Sequence, residues 1–155
     1  MSTLIETVKM RAWSLIKIPI LFMVSPSIVS VDRTRCEVKI PLNTLTKNHV
    51  GSMYFGVLAM GADLAGGVFV LDAIARSKKN VGFIFKDFSA NFLQRPMSDV
   101  HFICEEGDKV EKVVKECIRT KKRANQTVKI YATAPKKSGD QHVAEFTLTI
   151  SVKLK

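Results

Sequence analysis

Residues 53 to 76, MYFGVLAMGADLAGGVFVLDAIAR, form the longest apolar stretch of the chain, and much of it is small residues: Gly56, Ala59, Gly61, Ala62, Ala65, Gly66 and Gly67. A helix that is apolar nearly all round has to be buried. Its glycines and alanines let a sheet or a second helix approach the backbone closely. They also lower intrinsic helix propensity, so tertiary packing has to hold it. Any fold for this chain must therefore enclose one long helix. Asp63 breaks the pattern as the only formally charged residue between Val50 and Leu71. An isolated carboxylate in such a segment is costly unless it is hydrogen-bonded, paired or protonated. Such groups are over-represented at functional sites, although structural caps and satisfied core acids also exist.

The 155 residues fit a single domain with a substantial core. Leu4, Ile5, Val8, Ala12, Leu15 and Ile16 recur at helical spacing and predict a helix over 3–17, bracketed on exit by Pro19 and Pro26. From Ile28 the period changes to two, which predicts one long strand near a sheet edge, ending at Pro41. Residues 42–52 read as a loop. Strands are expected over 81–93, 99–105 and 142–154, the last pairing with 126–134 through the turn-like KKSGD. Between them, Val110, Val113, Val114, Cys117 and Ile118 give a helix over 106–120 its buried stripe. Strands gathered around a sequestered helix predict an α+β fold with an antiparallel sheet. The chain divides into an N-terminal helical extension (1–26) and a main domain (27–155).

Composition narrows the partners. A net charge of +10 implies an anionic partner or simply a basic surface. No groove-reading motif and no interleaved aromatic-basic pattern accompanies it, so nucleic acid is not expected. Cys36, Cys104 and Cys117 form no CxxC pair, which argues against a disulfide framework or zinc and for a reducing, cytoplasmic setting. His49, His101 and His142 are scattered, and no metal is indicated. The apolar residues 12–24 are interrupted by Lys17 and Pro19, too short a run to span a bilayer, and no small-x-small cleavage pattern follows. They read as a helix packed on the domain or on a partner subunit. An interfacial membrane helix, with Lys9, Arg11 and Lys17 at the headgroups, is the lesser reading, and a membrane partner is not expected.

The stretch N48-H-V-G51-S-M-Y54-F-G56-V-L-A-M-G-A-D63 resembles the active-site segment of hotdog-fold acyl-CoA thioesterases of the phenylacetyl-CoA thioesterase type. That family carries Asn-x-x-Gly, a His-Gly-Gly at the mouth of the central helix, and an acid seven residues beyond the last glycine. Asn48, Gly51, Gly56 and Asp63 fall on those positions, and FSANFLQRP (88–96) is similar to the family's strand ending in Phe-Leu-Arg-Pro. Tyr54 stands at the family's histidine, Phe55 at its first glycine, and Gln94 interrupts the downstream motif. The resemblance covers roughly residues 27–154. It implies a hotdog fold, an antiparallel sheet wrapped around a long central helix, here with an extra N-terminal helix. It also implies an acyl-CoA substrate, with coenzyme A entering only as part of that substrate and no separate cofactor.

The chemistry of those positions stands on its own. Thioester hydrolysis builds negative charge on the carbonyl oxygen, which unpaired N–H groups at a helix N-terminus stabilise. Gly56 offers such a group without a side chain in the way. Asn48 could donate its amide to the same oxygen or orient water, and Asp63 would act as general base or nucleophile. Seven helical residues separate Gly56 from Asp63, about 10 Å of rise. A symmetric dimer, or a dimer of dimers, would bring Asp63 of one chain toward Gly56 and Asn48 of the other, and the resemblance implies such a shared site.

Gly51, Ser52, His49, Tyr54, Phe55 and Phe88 are the expected substrate contacts, with Arg119, Lys121, Lys122 and Arg123 as an attractor for the coenzyme A phosphates. Blander readings remain open beside these. Asn48 caps a turn or the helix, Asp63 bonds a backbone group across the dimer, His49 is a loop residue, and Phe83, Phe85, Phe88 and Phe92 are strand core first and acyl-pocket lining second. The basic cluster reads equally as a solvated surface. A non-catalytic hotdog protein that binds acyl-CoA or fatty acyl chains is the alternative to the enzyme.

Overall fold

The computed structural model describes residues 3–155. Two helices, α1 (Thr3–Lys17) and the short α2 (Pro19–Met23), lead into β1 (Ser27–Val31) and β2 (Cys36–Ile40). A loop then delivers the chain to α3 (Phe55–Ser77). After it come β3 (Val81–Phe92), β4 (Val100–Cys104), α4 (Gly107–Thr120), β5 (Ala124–Thr133), the single turn α5 (Pro135–Ser138) and β6 (His142–Leu154). The strands form one sheet in the order β1-β2-β4-β5-β6-β3, every neighbouring pair antiparallel.

The sheet curls around α3. By length and composition α3 could cross a bilayer, but here it is the core helix, with Val57, Leu58, Ala62, Ala65, Phe69 and Val70 buried. Its small residues act as the sequence requires. A Cβ at Gly61 would run into the fully buried ring of Phe102 on β4, so the glycine sets how closely helix and sheet approach. The helix packs hardest over β2 and β4 and only lightly over β3. That off-centre seat leaves space along its β3 flank. Cys36, Cys104 and Cys117 are free thiols and all buried. Among the described residues no cluster of potential ligands could hold a metal ion.

Two sequence expectations are corrected. Residues 28–40 are a hairpin rather than one strand, because Asp32 turns the chain. Its Oδ1 accepts from the backbone N–H of Thr34 (2.7 Å) and Arg35 (2.9 Å) and from the Thr34 hydroxyl. The helix over 3–17 forms, but its apolar stripe is not the face that packs on the domain. Thr7, Met10 and Ser14 face inward. Thr7 Oγ1 accepts from the Ile28 N–H, and Arg11 donates to the carbonyls of Pro26 and Ser25. Leu4, Val8, Leu15 and Ile16 are exposed, Ile16 to 75%.

Candidate active site

The loop before α3 is built by its own hydrogen bonds. Thr46, fully buried, donates from Oγ1 to the Pro41 carbonyl and accepts from the Asn43 N–H, while the Tyr54 N–H reaches the Thr46 carbonyl. Asn48 organises the next turn. Its Oδ1 accepts from the N–H groups of Val50 (3.0 Å) and Ser52 (3.1 Å), and its Nδ2 donates to Ser52 Oγ (2.9 Å). Gly51 sits at the crest with φ +82°, a left-handed conformation glycine takes without strain. In this chain Asn48 and Ser52 are thus the frame of the loop, the turn-capping role, with one amide hydrogen of Asn48 to spare.

Tyr54 is the N-cap of α3 and gives it no side-chain cap. The Tyr54 carbonyl accepts from Val57 and Leu58, so the N–H groups of Phe55 and Gly56 are left over at the positive end of a 23-residue helix. The Tyr54 ring lies over Gly56, 2.6 Å from where a Cβ would stand. Tyr54, Phe55 and Phe92 form a chain of ring contacts (4.7 and 6.3 Å between centroids) that continues to Phe146 in the core. His49 and Val50 are exposed beside this mouth.

Two turns along the helix, Asp63 lines the space left between α3 and β3. A cavity of about 300 Å³ there is bounded by Ala59, Met60, Asp63, Phe85, Phe88 and Leu148. On its other side Asp63 also lines a larger cavity of about 1030 Å³, walled by α1, β1, α3 and the start of β3. Among the described residues no side chain or backbone group bonds or pairs with its carboxylate, and burial pushes its pKa from 3.8 up to about 6. The acid thus stands without a partner between the small apolar cavity and the larger one, whose lining also carries Lys9, Lys17, Arg33 and Arg76.

Phe88 and Phe92 are not strand core. They stand 44% and 50% exposed, because β3 is an edge strand and α3 leans away from it. Phe88 reaches the cavity of Asp63, and Phe92 the helix mouth. Met60 and Leu148 are cavity residues that the sequence did not point to, while Phe85, expected as strand core first, also lines the cavity. Ala59 and Met60 sit four and three residues before Asp63, one helical turn away, and that spacing was the available signal. The basic cluster is not near the mouth. Arg119, Lys121, Lys122 and Arg123 lie where α4 passes into β5, and the pairings Ala124↔Val152 and Val81↔Leu154 put them at the end of the sheet where α3 finishes. Arg123 is held there by Ser151 Oγ (2.8 Å).

An antiparallel six-stranded sheet closed around one long helix is the hotdog architecture. Solved structures share it across nearly the whole chain. A Chlorobaculum tepidum protein of unknown function superposes with TM-score 0.83 at 12% identity, covering 96% of this chain and 94% of that one. A Pseudomonas aeruginosa thioesterase, solved as a point mutant, gives 0.70 at 13% identity, with 96% and 94% covered. A thioesterase family protein from Silicibacter pomeroyi gives 0.64 at 16%, with 96% and 99% covered. At such identities the likeness is one of fold. The chain belongs to the family described as Domain of unknown function (DUF4442), whose profile matches residues 8–152. Comparison with curated proteins finds no match.

Proposed function

We propose that the protein is a thioesterase acting on acyl-CoA in a site shared by two copies of the chain. The unpartnered, desolvated carboxylate of Asp63 in its cavity carries this reading. The free N–H groups of Phe55 and Gly56 support it, as do the thioesterase names of proteins with the same fold. The thioester carbonyl oxygen accepts from the Gly56 N–H. Asp63 of the other copy takes a proton from water as its oxygen attacks the carbonyl carbon. The tetrahedral intermediate then collapses, breaking the C–S bond, and the leaving sulfur takes up the proton. Met60, Phe85 and Phe88 of the same copy as that Asp63, which share its cavity, enclose the acyl group.

The edge strand β3 argues for the second copy. Its outer backbone groups are unpaired over twelve residues, and Ile84, Phe88 and Phe92 are exposed along it. Such an edge favours pairing with another strand. Antiparallel pairing of β3 with its own copy would set the Val81 end of one chain beside the Phe92 end of the other. The partner's basic cluster would then approach this chain's helix mouth, where the coenzyme A phosphates would sit.

Steady-state hydrolysis of a panel of acyl-CoA thioesters tests the reading, and binding without turnover would sink it. One observation favours that outcome and the non-catalytic acyl-binding alternative: the Tyr54 ring over Gly56 narrows access to the oxyanion donor. Asn48→Asp separates the two duties of Asn48. The carboxylate keeps both acceptor bonds that shape the loop but loses the amide donor. A fold left intact with kcat reduced roughly tenfold or more would give Asn48 a part in the reaction; unchanged kcat would leave it a loop former only.

A further inference from the structure

Among the described residues, the outward face of α1 has no partner. With about 100° between successive residues, Leu4, Ile5, Val8, Ala12, Leu15 and Ile16 cover one continuous arc of the helix, and all six are exposed. α2 adds exposed Ile20, Phe22 and Met23. Monomeric surfaces seldom leave so much contiguous apolar area uncovered without using it. The inward face is oddly polar for a docked helix: it rests on Thr7, Ser14 and Met10, and Ser14 Oγ is buried without a hydrogen-bond partner. The helix is thus oriented at some cost with its greasiest side outward.

Charge selects the occupant. Lys9, paired with Glu6 at 3.2 Å, lies on one border of the arc and Lys17 is exposed at its C-terminal end, whereas the Arg11 guanidinium on the other border turns inward to the Pro26 and Ser25 carbonyls. Glu6 is the only acid from residue 3 to residue 26, and the whole chain carries +10. An apolar arc with exposed Lys9 and Lys17 beside it, on a highly basic protein, fits the interfacial region of an anionic bilayer, where the apolar side chains enter the acyl boundary and the lysines meet phosphates. A second copy fits less well. Two-fold pairing of this face would set one cationic border against another, whereas the β3 edge already offers a self-complementary surface.

We propose that α1 and α2 form a peripheral membrane-binding face that docks the protein on anionic lipid. The proposal is independent of the thioesterase reading. Seated this way, α1 would lie between the lipid and the 1030 Å³ cavity, since its Met10 and Trp13 wall that cavity from within.

Co-sedimentation of the full-length protein with phosphatidylcholine vesicles, with and without phosphatidylglycerol, tests this directly. Binding should require the anionic lipid and weaken with salt. Leu15→Glu combined with Ile16→Glu, both at exposed positions, should reduce binding by roughly tenfold or more. It should leave the circular dichroism spectrum, the sedimentation coefficient without lipid and any thioester turnover unchanged. Lys17→Glu should lower the preference for anionic over neutral vesicles. Three outcomes would overturn the proposal: no wild-type binding to anionic vesicles, full binding by the double variant, or a change in oligomeric mass in the double variant, which would make the face an interface between copies.

Discussion

Asp63→Asn should abolish thioester turnover while making the protein more stable at neutral pH. A positioned general base contributes roughly a hundredfold to ten-thousandfold to a rate, so loss on that scale is expected. In the wild type, kcat/KM should rise with pH and level off above an apparent pKa of about 6, because the carboxylate must be ionised to take a proton from water. The stability effect has a definite sign. The folded state raises the Asp63 pKa from 3.8 to about 6, so between those values it binds the proton that the unfolded chain has released. The Asp63 contribution to stability is therefore fully present below pH 4 and is lost as pH rises through 6. Two pH units correspond to about 3 kcal/mol. Asparagine is isosteric and never ionises, so its advantage should be near zero at pH 4 and of that order at pH 8. Urea unfolding at both pH values, at fixed protein concentration, measures it. A variant that still turns over substrate would remove Asp63 from the reaction. Equal stabilities at pH 8 would mean that the carboxylate is solvated after all.

Phe102→Ala should be the most damaging single change to the fold. The ring is fully buried, touches Gly61 of the central helix, and stands 6.3 Å from the ring of Phe146. Removing it opens a cavity beneath α3, at a cost of about 3–5 kcal/mol, much of the stability of an ordinary domain. Gly61→Ala errs the other way. Its methyl group has no room against the ring, so the helix must lift from the sheet, which costs about 1–3 kcal/mol. Since both changes act on one contact, they should not add. Gly61→Ala with Phe102→Leu should be more stable than the sum of the single variants requires, measured as a coupling energy in a double-mutant cycle. Simple additivity would show that the glycine does not set the helix-to-sheet distance.

The sequence made the central helix legible because its burial is recorded in composition: only an enclosed helix tolerates Leu, Val and Phe on every side. Strand β6, His142–Leu154, was legible because apolar and polar residues alternate from Ala144 to Leu154. The hairpin at Asp32 escaped because its turn holds neither glycine nor proline. The unbroken polar run from Asp32 to Arg35, opened by a carboxylate, marks the reversal. The docking of α1 escaped for a different reason. Periodicity reveals that a helix has an apolar face, but not whether that face meets the same chain, and here Thr7 and Arg11 hold the helix by hydrogen bonds. At the candidate site, Asp63 and the helix mouth were readable from spacing. The cavity beside Asp63 was not, because it exists only where α3 leans away from β3, a property of the assembled sheet.

The three buried thiols have a practical consequence. Cys36 on β2 and Cys104 on β4 are cross-strand neighbours beneath α3, and Cys117 lies on the inner face of α4. Burial pushes the Cys104 thiol up to about 11 and Cys36 further, so neither is ionised or reachable in the closed fold. A thiol-reactive dye should therefore label the native protein only as fast as the molecule opens. The sheet and the helix beside it each carry a reporter of that opening. Whether Cys117 reacts together with the β2–β4 pair or ahead of it would tell whether this fold comes apart as one unit or peels away from α4 first.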